Sequence, residues 1–188
     1  SSARARAAGS VRSWRAAATT AWARVAALWL ASSTLAWIVA LMLPGVQSSF
    51  TLNAGEYIQW QGSEMTGSVI QSDKPVAFVG GDAYQCYSSM TSSGGGCDSG
   101  HQMTPPVRAL GQEYVAPPFR SRAGSPESIP YRIVGAVDGT TLSYEPAVAG
   151  APATLAQGQS VTFESTSAFR VPSQDEDHPF YIAQVMPG

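Results

Sequence analysis

A ten-residue phrase occurs twice in this sequence, at residues 51–60 as TLNAGEYIQW and at residues 154–163 as TLAQGQSVTF. A similar tail follows each copy, over residues 69–78 in the first case and over residues 171–182 in the second, where a short acidic insertion is present. An internal repeat constrains the architecture strongly, because each copy is expected to form the same structural unit.

The repeated phrase predicts half-buried strands. Each copy ends in an alternation of apolar and polar residues, IQWQ in the first and VTFE in the second, which is the pattern of antiparallel strands with one buried face. Gly55 and Gly158 come just before the alternation, where a residue that tolerates positive φ can turn the chain into the strand. We therefore expect a turn and a strand in each copy.

A hairpin is predicted around Asp138–Gly139, a dipeptide typical of two-residue turns, because residues 131–137 and 140–144 on either side are apolar and alternating. Further strands are predicted over residues 67–71, 75–80, 113–119, 154–165, 168–171 and 180–186. No helical periodicity is present after Leu43.

Residues 88–100, which are rich in glycine and serine, and residues 104–126, which are rich in proline, are predicted to be loops that flank a strand. Residues 49–188 are therefore predicted to form an all-β domain of antiparallel repeated β units, either propeller-like or a sandwich.

Charge is distributed unevenly along the chain. Residues 1–48 contain no acidic residue but five arginines, which leaves six basic against thirteen acidic residues in the rest. The arginines are Arg4, Arg6, Arg12, Arg15 and Arg24. Residues 25–43 carry no charge, and this length is close to the roughly 20 residues that span a bilayer. The pattern predicts a basic leader and one apolar N-terminal helix.

Three interpretations of residues 1–48 stay open. The segment is an export signal that is cleaved, a signal anchor that holds the protein to a membrane through residues 25–43, or sequence that is not native to the protein. The third interpretation follows from its richness in Ala, Arg, Ser and Trp, a composition that wrong-frame translation of GC-rich DNA also produces. Because the chain lacks an initial Met and stops just after a predicted strand, we interpret it as a fragment of a longer protein.

Cys86 and Cys97 are the two cysteines of the chain, and they bracket a stretch rich in serine and glycine. This spacing favours a disulfide that closes the loop over a pair of reduced thiols, provided that the compartment is oxidising. A zinc site is disfavoured, because His101 alone does not complete a tetrahedral ligand set.

Sequence motifs for catalysis are weak. Residues 97–101 bring a thiol, a carboxylate, a hydroxyl and an imidazole together, but catalytic triads assemble from separate elements of a fold. Asp175, Glu176 and Asp177 are weak candidate ligands for Ca²⁺, without the spacing of a known calcium loop. The chain has neither a phosphate-binding glycine loop nor a basic aromatic surface in its β region. We therefore expect no cofactor and no nucleic-acid partner.

Several segments together carry a resemblance. They are residues 67–78 (GSVIQSDKPVAF), Cys86, Cys97–Asp98, Pro105–Val107, residues 110–115 (LGQEYV), residues 131–134 (YRIV) and residues 138–141 (DGTT). In their order and spacing they resemble the IgGFc-binding protein N-terminal domain family. The resemblance does not reach residues 1–48, and in the second repeat residues 173–179 depart from the family's Ser-Asp-Lys-Pro turn.

The resemblance implies an extracellular or cell-surface module that binds or adheres and is not an enzyme. Lys74 and Asn53 are the sole lysine and asparagine, a bias typical of GC-rich genomes, so we interpret the chain as a bacterial member. For such a member the resemblance does not imply binding to immunoglobulin Fc.

A β scaffold presents recognition residues on the loops at the ends of its sheets, here residues 84–101 and 119–128. The candidate binding residues are Tyr84, Tyr87, His101, Arg120 and Arg122. The expected partner is an extracellular protein or a glycan. The alternatives are a structural repeat of a cell-envelope or matrix protein without a specific ligand, and a calcium-assisted hydrolase.

Overall fold

The structure is a computed structural model that describes residues 2–8, 39–40, 46–61, 64–122 and 124–188. The described residues form 14 strands and one 3₁₀ helix, Val107–Ala109. The strands are β1 (Ser2–Ala8), β2 (Val39–Ala40), β3 (Ser48–Asn53), β4 (Gln59–Trp60), β5 (Val69–Ser72), β6 (Val79–Cys86), β7 (Cys97–Met103), β8 (Glu113–Ala116), β9 (Ile129–Gly135), β10 (Thr140–Thr141), β11 (Thr154–Leu155), β12 (Ser160–Ser165), β13 (Phe169–Pro172) and β14 (Phe180–Gln184). All strand pairings except that of β2 with β4 are antiparallel. The predicted all-β class is confirmed.

The apolar helix predicted over residues 25–43 lies outside the described residues, apart from Val39–Ala40, which form β2 beside β4. Near the start of the chain, β1 lies between β3 and β5. In the part of the chain that the structure describes, no helix has the length and apolar character that a membrane span requires.

Most of the predicted strands are present. Strands β5, β8, β13 and β14 correspond to predicted strands, and the prediction over 154–165 is divided into β11 and β12 by the turn at Gly158. The prediction over residues 75–80 is wrong for residues 75–78, which are irregular, because the proline at its start has no N–H for a strand ladder. The predicted loop over residues 88–100 is also too long, since β7 begins at Cys97.

Two small antiparallel sheets face each other in the second half of the chain. One sheet has the order β12–β9–β14. In the other, β13 pairs with β8 and is joined by bridges to the segment that follows β10, through Leu142 to Ser173 and Glu145 to Arg170. Strand β10 pairs in turn with β11. Of the two predicted forms, this arrangement is a sandwich.

The hydrophobic core lies between the two sheets. Strand β9 alternates, with Ile129, Tyr131 and Ile133 buried on one face. The Tyr131 ring meets the Phe169 ring edge to face with centroids 4.9 Å apart, and the Phe163 and Phe169 centroids lie 5.8 Å apart. These contacts join one sheet to the other, so the aromatic cluster holds the sandwich together. The other core residues are Ala116, Leu142, Leu155, Val171 and Phe180.

The two copies of the repeated phrase form the same turn. Gly55 and Gly158 both adopt positive φ, 84° and 70°, as predicted. In the first copy the Asn53 backbone N–H donates to the Glu56 carboxylate at 2.7 Å. In the second copy the Ala156 N–H donates to Gln159 Oε1 at 3.0 Å. The acceptor therefore occupies the same position of the phrase in each copy.

The predicted hairpin at Asp138–Gly139 is wrong in its strand pairing. The turn itself forms, with Gly139 at a φ of 72°, and Thr140 Oγ1 donates to the Val137 carbonyl at 2.9 Å. However, β9 is a central strand with β12 and β14 on its two edges, and β10 pairs instead with β11. Both edges of β9 are already bonded, so the chain leaves the sheet after the turn.

Over residues 46–61 and 64–110, no side chain is fully buried. Phe50, Trp60 and Phe78 form a partly buried cluster, with centroid separations of 5.8 Å and 6.3 Å about the Trp60 ring. Arg132 Nη1 of the sandwich lies 3.4 Å from the Glu64 carboxylate. The core of the described protein therefore lies in the sandwich, and the first half packs on its surface.

Candidate binding site

A disulfide between Cys86 and Cys97 closes the first of the two predicted loops, with a sulfur–sulfur distance of 2.04 Å. The two cysteines are opposite each other at the end of the β6–β7 ladder. The predicted disulfide is confirmed. We call residues 87–96, which it encloses, the disulfide loop.

The tip of the disulfide loop docks on the sandwich. The backbone N–H of Met90 donates to Glu164 Oε2 at 2.9 Å. The hydroxyl of Ser128 donates to the same oxygen at 2.5 Å, and the backbone N–H of Ser128 donates to Thr91 Oγ1 at 2.8 Å. The Glu164 carboxylate on β12 therefore holds the loop tip beside Ser128, the residue that precedes β9.

The second predicted loop, residues 119–128, is also fixed to the sandwich. Arg122 pairs with the Glu127 carboxylate at 2.7 Å, lies over the Phe119 ring with its guanidinium carbon 5.7 Å from the centroid, and donates to the Pro187 carbonyl at 2.8 Å. The hydrogen bond to Glu127 raises the pKa of Arg122. Arg122 therefore serves the conformation of its own loop.

Residues 187–188 connect the two loops. Gly188 N–H donates to the Tyr87 carbonyl at 3.2 Å, and Ser92 Oγ donates to the Gly188 carbonyl. Because Arg122 bonds the adjacent Pro187, both predicted loops meet at the same point of the sandwich. The structure thus brings together two segments that are distant in sequence.

The five predicted binding residues differ from one another in exposure and in the element that carries them. Tyr84 is 72% exposed, and His101 and Arg120 are also exposed. Tyr84 and His101 lie in strands β6 and β7, so the prediction that both lie in loops is wrong. Tyr87 is half-buried beside the C-terminal residues, and Arg122 is occupied by its ion pair.

The family model described as IgGFc binding protein matches residues 32–188. The chain belongs to the IgGFc binding protein family. A comparison with curated proteins and one with solved structures find no match.

Membership of the IgGFc binding protein family indicates an extracellular, non-enzymatic binding module and implies a protein partner. The match begins at residue 32, inside the apolar segment of residues 25–43. The family similarity therefore extends further toward the N-terminus than the sequence motifs indicated.

The acidic turn of this family member is held by its own hydrogen bonds. His178 Nδ1 lies 2.5 Å from Asp175 Oδ1, and the Asp177 N–H donates to the same oxygen at 3.0 Å. The bond to His178 lowers the pKa of Asp175. Within the described ranges, no group of three or more His, Cys, Asp or Glu residues is placed to hold a metal ion. The candidates Asp175, Glu176 and Asp177 lie in this turn, and Asp175 accepts its hydrogen bonds.

Sequence reasoning missed Met90, Ser128 and Glu164, which dock the disulfide loop in this IgGFc-binding-family chain. Met90 is an apolar residue in a segment of serine, glycine and threonine, and this contrast is a signal that could have been used. Glu164 offers no such signal, since it continues the polar alternation after the repeated phrase.

Proposed function

We propose that this chain recognises an extracellular protein or a glycan through the two loops at one end of its β scaffold, and that it acts in adhesion at a cell surface or in a secreted protein. Residues 49–188 constitute the binding module in this proposal. Family membership supports the class of function, and the arrangement of the loops supports the location of the binding surface.

One observation carries the proposal: both loops are fixed before any partner arrives. The disulfide closes the first loop, and Glu164, Pro187 and Gly188 tie the two loops to the sandwich. A surface that is already ordered loses less conformational entropy on binding than a flexible one. Three of the predicted binding residues are exposed at or beside this region: Tyr84 and His101 lie on strands β6 and β7, which the disulfide loop connects, and Arg120 lies in the second loop. Aromatic and arginine side chains are common anchors in protein interfaces.

The experiment is a binding screen with the full chain, residues 1–188, immobilised. Soluble extracellular proteins, a glycan array and the Fc fragment of IgG, which the family description names, are tested for saturable binding by interferometry. The variants Tyr84→Ala and Arg120→Ala are expected to weaken a true interaction about tenfold or more each, the effect of truncating an interface anchor. Tyr87→Ala is expected to act mainly by disturbing the loop.

Val115→Ala is the matched control, because Val115 is 68% exposed and lies on strand β8, outside both loops and outside the strand β6 that carries Tyr84. If Val115→Ala weakens binding as much as Tyr84→Ala and Arg120→Ala do, recognition through the two loops and the adjoining part of β6 is contradicted. The absence of saturable binding to every probe would instead favour a structural repeat without a specific ligand.

A further inference from the structure

An open groove of about 270 Å³ lies beside the docked tip of the disulfide loop. It exists because the tip rests on the sandwich: Met90 comes from the disulfide loop, and the other lining residues come from the segments 146–149 and 164–168. Its lining includes Met90, Val148, Ala149, Glu164, Thr166 and Ala168. We call this cavity the Glu164 groove.

Glu164 is a half-buried carboxylate without a cation partner among the described residues. Its Oε2 atom accepts hydrogen bonds from the Met90 N–H and the Ser128 hydroxyl. No described residue donates to Oε1. The Coulomb attraction between a cation and a carboxylate is stronger when the carboxylate is partly removed from water, because the local dielectric constant is lower.

The other described residues of the groove suit an aliphatic chain. Met90, Val148, Ala149 and Ala168 present apolar surface. None of the described lining residues is basic, so the charge of Glu164 is not offset inside the groove. A long cationic side chain matches this pattern, because it lays its methylene stem on apolar surface while its charged end reaches a polar group.

The hydrogen bonds already made by Glu164 favour an ammonium over a guanidinium. Arginine binds carboxylates best through two parallel hydrogen bonds to both oxygens, and Oε2 is already occupied. A lysine ammonium is compact and has three rotatable donors. Thr166 also lines the groove, and its hydroxyl oxygen is of the kind that accepts a hydrogen bond from an ammonium.

We propose that the Glu164 groove binds a lysine side chain, with the ammonium on Glu164 Oε1 and the stem against Met90 and Val148. The proposal rests on the proposed function for the source of that side chain, which is a protein partner. The groove itself can be tested with a small probe, so failure of the groove and failure of partner binding are separate results.

The probe is Nα-acetyl-lysine methylamide, titrated into the ¹⁵N-labelled full chain, residues 1–188, and followed by backbone amide NMR shifts. The matched probe is the norleucine counterpart, which has an equally long stem with a methyl group in place of the ammonium. We expect saturable shifts at Met90, Glu164 and Thr166 with the lysine probe and weaker, non-saturating shifts with the norleucine probe. Equal responses to the two probes, or no response to the lysine probe, would overturn the proposal.

Glu164→Gln tests the charge. Its amide oxygen can still accept from Met90 and Ser128, so the loop is expected to stay docked, and unchanged Thr91 and Ser128 amide shifts verify this. The dissociation constant of the lysine probe is expected to rise about tenfold or more, because a hydrogen bond to a charged group is lost. Ala168→Leu is a second test that leaves Glu164 intact: Ala168 is exposed, and a larger side chain there is expected to fill the groove and abolish binding. Unchanged affinity in both variants would also overturn the proposal.

Discussion

Gly67 and Gly158 lie backbone against backbone, so that a Cβ atom on Gly67 would overlap the carbonyl oxygen of Gly158. Gly67 lies in the turn before β5, whereas Gly158 is the turn glycine of the second repeat copy. The first half of the chain therefore rests on the turn of the second repeat, and this close approach needs a residue without a side chain.

Gly67→Ala is expected to destabilise the fold by roughly 2–4 kcal/mol, as the sum of left-handed backbone strain and steric overlap. Gly55→Ala is the matched control: its φ of 84° is close to the 88° of Gly67, but apart from its chain neighbours no atom of the described residues lies within 4 Å of an added Cβ. The control is expected to cost about 1–2 kcal/mol from backbone strain alone. Urea unfolding measures both. Equal losses would show that the contact with Gly158 contributes nothing.

Removal of the disulfide by the double change Cys86→Ser and Cys97→Ser is expected to lower the free energy of unfolding by about 3 kcal/mol, since the loop is no longer closed in the unfolded chain. The measurement is chemical unfolding with and without reductant. Reductant should lower the stability of the unmodified chain and leave the double variant unchanged. A reductant effect of equal size on the double variant would contradict this explanation.

Phe169→Ala is expected to cost about 3–5 kcal/mol, because it empties the contact between the two sheets. Phe169 is 2% exposed and its ring meets those of Tyr131, Tyr144 and Phe163. Val115→Ala, at an exposed position on β8, is expected to change stability by about 0.5 kcal/mol or less. Thermal unfolding of the two variants distinguishes core from surface. Similar melting temperatures would mean that the sheets do not depend on this aromatic cluster.

The pair of Glu113 and Arg170 predicts a dependence of stability on pH. Arg170 donates from Nε and Nη2 to the two Glu113 oxygens, each at 2.8 Å, and these bonds lower the pKa of Glu113. A carboxylate with a lowered folded pKa stabilises the protein above its unfolded pKa, and this contribution is lost as the pH falls through the folded value. Stability should therefore decline below about pH 4.

Glu113→Gln is expected to flatten part of that decline when unfolding midpoints are compared between pH 7 and pH 3. Glu145→Gln is the control, because Glu145 contacts the same arginine at 3.3 Å through one oxygen and its side chain is 76% exposed. A pH profile altered equally by both variants would indicate general charge effects. The close pair would then have no specific role.

Some features of the fold could be predicted because they depend on nearby residues. The turns at Gly55 and Gly158 follow from glycine before an alternating phrase, and the disulfide follows from two cysteines around a flexible loop. The hairpin prediction at Asp138–Gly139 failed although the turn was correct. A turn depends on four residues, but its strands pair only if no other strand competes for the same edges, and β12 and β14 occupy both edges of β9.

The candidate site also has some features that the sequence predicts and others that it does not. Its two loops and the exposure of Tyr84 and Arg120 follow from composition and chain position. The docking of Met90 on Glu164 does not, because these residues are 74 positions apart and no local pattern connects a loop tip with a carboxylate on β12.

The sequence alone determined the all-β class, the turns of the repeated phrase and the covalent closure of one loop, since alternation, glycine conformation and cysteine spacing act over short segments. Only the tertiary structure decided which edges of β9 are paired, that Gly67 rests on Gly158, and that two loops meet at Pro187 and Gly188. These outcomes depend on competition among long-range contacts for the same surfaces and hydrogen-bonding groups, and that competition is settled only when the whole chain packs.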